Sequence, residues 1–81
     1  MSVFLVRISA LGHRAEWLPV PDLAAASRAV REFIETNDIG GSTWRGGRVV
    51  DAGTKKLVAN VSYNGRVWLP DGSEARIGQA S

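Results

Sequence analysis

Alternation of apolar and polar positions opens the chain as a strand. Over Val3 to Ala10, Phe4, Val6, Ile8 and Ala10 fall on one face, and Val3, Leu5, Arg7 and Ser9 on the other. The first set is expected to face the core. Leu11-Gly12-His13 reads as a turn, and Arg14 to Val20 as a short edge strand whose pairing Pro19 and Pro21 limit. The spacing then changes to a helical one. Leu23, Ala26, Val30, Phe33 and Ile34 recur as one apolar stripe, which predicts a helix from about Leu23 to Thr36 packed on the sheet. Asp22 stands at its N-cap position, and Asn37, Asp38 and Gly40-Gly41 end it. Arg28 with Glu32 and Arg31 with Glu35 are i,i+4 pairs on its polar side.

After Ser42 the pattern returns to strands. Arg48 to Asp51, Lys56 to Tyr63 and Arg66 to Leu69 are each short and separated by turn residues. Asn64-Gly65 suits a two-residue hairpin turn, which would pair Tyr63 with Arg66, Ser62 with Val67 and Val61 with Trp68. In that register Leu57, Ala59, Val61, Tyr63, Arg66 and Trp68 share the face expected to meet the helix. A turn at Gly53-Thr54 would set Val49 against Val58, with Val67 beside them on the opposite face. The expected fold is α+β: an antiparallel-dominated sheet of four or so strands with one helix on one face, in the order strand, helix, three-strand meander. The single domain is expected over residues 1–69, with 70–81 as a flexible C-terminal tail.

Composition narrows the function classes. Eighty-one residues hold one modest core. There is no cysteine, so disulfides and thiolate chemistry are excluded, and a reducing cytoplasm is the expected location. No apolar run is long enough to span a bilayer, Arg7 interrupts the first apolar stretch, and neither a signal peptide nor a membrane partner is expected. His13 is the one histidine, with no nucleophile and carboxylate arranged around it, and no metal-ligand spacing occurs. The expectation is therefore a non-catalytic protein without cofactor or metal. Gly40-Gly41 and Gly46-Gly47 follow a helix instead of opening one, which favours turns over a phosphate loop.

Charge changes the picture more. The formal net charge is +2, yet Ile39 to Leu69 holds Arg45, Arg48, Lys55, Lys56 and Arg66 against Asp51 alone, a balance of +4. Trp44, Tyr63 and Trp68 lie among these cations. Aromatics among cations on a sheet are how single strands of nucleic acid are held, so a small nucleic-acid-binding domain is one reading. The other starts from Val49, Val58 and Val67. On a face without a helix they would form an exposed apolar stripe, and such stripes mark protein interfaces. Trp17 and Trp44, with Arg45, Arg48 and Arg66 around them, complete the interface candidates. This second reading, a protein-binding module acting as a monomer or homodimer, is the leading expectation.

The plan of strand, helix and meander, ending in Val61-Ser62-Tyr63-Asn64-Gly65-Arg66-Val67-Trp68, resembles small uncharacterised proteins of proteobacterial phages and mobile elements. It is similar in size and layout to some anti-CRISPR proteins. The resemblance covers residues 1–69 in outline and transfers no functional residue. It implies an anti-defence inhibitor that docks on a host CRISPR or other nucleic-acid-handling complex. Many such inhibitors are acidic DNA mimics, whereas this chain is slightly basic, so occlusion of a protein surface is the mechanism implied.

Overall fold

The computed structural model describes residues 3–75. Five strands, β1 (Phe4–Ala10), β2 (Glu16–Val20), β3 (Trp44–Asp51), β4 (Leu57–Val61) and β5 (Val67–Trp68), form one sheet in the order β2-β1-β3-β4-β5. All neighbours are antiparallel. One helix, α1 (Leu23–Thr36), covers one face. This is the α+β domain expected, with β2 a full member of the sheet. Pro19 is tolerated because β2 is an edge strand and its outer side needs no ladder hydrogen bond. No helix among the described residues is long and apolar enough to cross a membrane.

The core lies between α1 and the covered face. Val6, Ile8 and Ala10 of β1 are buried, and Phe4 packs against them, as the alternation predicts. Ala26, Val30 and Ile34 supply the helix side. The helix sits very close to the sheet at Gly47. A Cβ there would lie 2.9 Å from the Val61 carbonyl oxygen and 3.1 Å from Val30 Cγ2. Only a residue without a side chain lets the helix settle at this depth.

Both helix ends follow from the sequence. The Asp22 carboxylate accepts a hydrogen bond from the Ala25 N–H at 2.8 Å. At the other end the Asn37 N–H donates to Phe33 O and the Ile39 N–H to Ile34 O, with Asp38 at φ 54°. This is a Schellman ending, sealed by contact of buried Ile39 with the core. Its left-handed residue is Asp38, not either of the glycines that follow. Asp38→Gly should therefore raise stability by about 0.5–1 kcal/mol, measured by urea unfolding, because glycine carries no Cβ penalty there. Of the two predicted ion pairs on the helix, Arg31–Glu35 forms at 3.3 Å, and it is the one salt bridge among the described residues.

Three local expectations are corrected. The β4–β5 hairpin does not turn on two residues. Ser62 N–H donates to Arg66 O and Gly65 N–H to Ser62 O, so Tyr63, Asn64 and Gly65 all lie in the loop. Gly65 takes φ 90°, whereas Asn64 is not in the left-handed region. Both mirror-image two-residue turns need positive φ at the first central residue, which would be Asn64; this is a three-residue loop with a glycine bulge. The helix fixes the choice: Ser27 Oγ donates to Gly65 O at 2.6 Å, and Arg31 donates to Tyr63 O at 2.7 Å. The Tyr63 hydroxyl donates to Ile39 O.

The register consequently moves by one residue. Val61 pairs with Val67 and Asn60 with Trp68. A one-residue shift exchanges the faces of every β5 side chain. Val67 is in the core, 1% exposed, and Trp68 is on the uncovered face.

Two bulges account for the rest. In β4, Val49 pairs with Ala59 and Val50 with Leu57, which leaves Val58 as the extra residue. Val58 therefore does not oppose Val49. It is half-buried and packed on the core, while Val49 is fully buried under the helix. In β3, Ser9 pairs with Gly46 and Ala10 with Trp44, which makes Arg45 the extra residue. That bulge turns Trp44 inward, and its ring meets Phe33 at 6.4 Å between centroids. The exposed valine stripe and the outward-presented Trp44 are thus both absent. Of the expected tail, residues 70–75 form a turn that returns to β5: Trp68 bridges Glu74, and Ala75 N–H donates to Val67 O. The remainder of that segment lies outside the described residues.

Candidate functional site

With one helix for two faces, one side of the sheet stays uncovered among the described residues. The registers place a single row of residues directly across it. Trp17 stands opposite Arg7, Arg7 opposite Arg48, Arg48 opposite Asn60, and Asn60 opposite Trp68. The row crosses all five strands and is closed at its far end by Glu74, bridged to Trp68. Residues in direct register point to the same side with Cβ atoms about 5 Å apart. An apolar row runs beside it: Pro19, Leu5, Val50 and Leu57.

Two shallow grooves follow these rows. One, of about 510 Å³, is lined by Leu5, Trp17, Arg48, Val50 and Lys55. The other, of about 470 Å³, is lined by Arg7, Trp17, Arg45, Gly46, Arg48 and Asn60. Trp17 and Arg48 line both, so the grooves adjoin. Trp17 is 46% exposed, and Val50 at the floor only 6%. A third depression, of about 310 Å³, lies between Arg66, Trp68, Ser62, Tyr63 and Asn64 at the β5 end.

The electrostatics are one-sided. Arg7 and Arg48 face each other in the middle of the sheet, and like charges in direct register are destabilising. Neither has a carboxylate partner among the described residues. Arg45 and Lys55 add to the same grooves, although Arg45 also donates to Ser42 O. Two acids of the C-terminal half are held within their own turns. Asp51 accepts hydrogen bonds from the Thr54 and Gly53 backbone N–H groups at 2.8 Å, which hold its carboxyl below the usual range. Asp71 is likewise held low by the Ser73 hydroxyl and backbone. Both stay anionic at neutral pH, each satisfied within its own turn.

The residues proposed from sequence thus divide. Trp17, Arg45 and Arg48 are brought together on the open face, with Arg66 at its β5 end beside Trp68. Val49 and Val67 are core, Val58 is half-buried, and Trp44 packs under the helix. Arg7 and Asn60 were not singled out, and Trp68, named among the aromatics of the basic half, was placed on the helix-facing side. Arg7 carried a signal, being the one charge in an apolar strand and on its non-core parity. Trp68 was hidden by the hairpin register, and Asn60 carried none. What the fold and face define is a small sheet with a helix on one side and a cationic, aromatic surface on the other. Comparison with protein-family models, curated proteins and solved structures finds no match to any of them.

Proposed function

We propose that the open face binds nucleic acid. One observation carries this reading: Arg7 and Arg48 oppose each other in register at the centre of that face, without an acid paired to them among the described residues and with Trp17 alongside. An arrangement that costs folding energy is accounted for by a ligand that supplies the missing negative charge. A phosphate backbone does so, and the planar guanidinium suits phosphate oxygens. Trp17, exposed and in register with Arg7, offers a base its ring face.

Fluorescence anisotropy of labelled mixed-sequence oligonucleotides tests this directly. Binding should be measurable at low salt and weaken steeply as salt rises. Three phosphate contacts, by Arg7, Arg48 and Arg66, predict a log–log slope of about −2 on a single strand. Absence of any shift at low salt rejects the proposal.

A second reading keeps the anti-defence inhibitor, docking this same face on an acidic protein surface. It draws on the apolar row of Leu5, Val50 and half-exposed Leu57 beside the arginines. It has lost the valine stripe on which it first stood. It predicts no oligonucleotide binding, so the same titration separates the two.

A further inference from the structure

Resting on the nucleic-acid reading, we infer that the ligand is a single strand laid across the β-strands, with one base stacked on Trp17 and another on Trp68. The two indoles are the ends of one register row, on β2 and β5. They are the outermost strands of the sheet. Four inter-strand steps separate them, about 19 Å at the usual 4.8 Å spacing. Arg7, Arg48 and Asn60 fill the interval. The row therefore carries both kinds of group that a single strand can use: a ring platform at each end, and between them two cations for phosphates and one amide able to donate and accept.

Base pairing decides against a duplex. A paired base is stacked on its neighbours and cannot offer its face to an indole, so both tryptophans would be idle. Charge complementarity also sets the path. Arg48 lies in both adjoining grooves, and Arg66 lines the depression around Trp68, so cations accompany the row from β1 to β5. The single acid in register, Glu74, lies beyond Trp68 and marks where the path ends. The span corresponds to about four nucleotides, at the lower end of the site sizes of sheet-based single-strand binders.

The test compares three ligands of eight nucleotides: a mixed-sequence single strand, its duplex, and an abasic strand with the same phosphates. The single strand is expected to bind at least tenfold more tightly than either of the others. Trp17→Leu and Trp68→Leu should each weaken the single strand by roughly tenfold and leave the abasic strand unaffected. Trp68→Phe, which keeps a ring, should retain most of the binding, and thermal melts confirm that each variant is folded. Single strands shortened from eight to two nucleotides should lose affinity sharply below four. Equal binding of the abasic strand, or tighter binding of the duplex, overturns the inference and leaves the nucleic-acid reading standing. No binding of any of the three removes that reading itself.

Discussion

Replacing Arg48 by Glu is expected to make the protein more stable and to abolish its binding. In the wild type Arg48 faces Arg7 across a strand pair and carries no counter-charge among the described residues. The substitution turns a like-charge pair into an opposite-charge pair at the same position. Cross-strand pairs contribute roughly 0.2–1 kcal/mol, so relief of repulsion plus new attraction should raise stability by about 0.5–1 kcal/mol in urea unfolding at low salt. The gain should shrink as salt screens the pair. Binding should move the other way. A carboxylate at the centre of the face repels phosphate where a guanidinium attracted it, and affinity should fall by about a hundredfold or more at low salt. Opposite signs in the two measurements are what a residue kept for its ligand should give. A solvated surface arginine would leave both nearly unchanged. An arginine kept for the fold would lose stability on replacement.

The second large effect concerns the covered face. Gly47→Val should destabilise the domain by about 3 kcal/mol or more, a large part of the total stability expected of a chain this size. The first added carbon alone would lie 2.9 Å from the Val61 carbonyl oxygen, which is backbone in the middle of the sheet and cannot swing aside. Val30 on the helix is the other neighbour, at 3.1 Å, and it is fully buried. Relief needs β4 to shift at Val61 as well as α1 to lift at Val30, which would break the β3–β4 pairing and expose Val30, Val49 and Val61. Circular dichroism melts should show a markedly lower Tm. Gly46→Ala is a useful control, because nothing lies within 4 Å of a Cβ there and its cost would come from the backbone at φ 134° alone. A Gly47→Val protein that melts with the wild type would show that the helix does not sit this close.

Much of this architecture was legible in the sequence. The two-residue alternation of β1 and the helical stripe of α1 are properties of single segments, and each was right in its face and nearly in its limits. What failed was pairing between segments. Asn64-Gly65 is a sound local signal for a two-residue turn. Its outcome was decided by Ser27 and Arg31 on the helix, which hold the loop by Gly65 O and Tyr63 O and are remote in sequence. The bulges at Arg45 and Val58 leave no mark in the alternation, since each simply reverses parity in mid-strand. These three shifts sent Trp44, Val49, Val67 and Trp68 to the faces opposite those expected. The charge asymmetry survived because composition does not depend on register. It drew attention to the half that carries Arg48 and Trp68 and left out Arg7, which joins that half only through the β1–β3 pairing.

The position of β1 also sets the order in which the molecule can assemble. β1 is first in the chain but central in the sheet, and its partner on one side is β3, on the far side of the helix. As the chain leaves the ribosome, β1, β2 and α1 can meet at once, because their contacts are local. They form a two-stranded ribbon with one unpaired inner edge at β1. That edge stays open until β3 emerges and closes a loop that includes the whole helix. The C-terminal meander of β3, β4 and β5 is local again and can zip without delay. Folding of this domain should therefore be limited by one event, the docking of β3 on β1. The same event brings Arg48 against Arg7, so the step that completes the sheet must work against the repulsion between the two guanidinium groups.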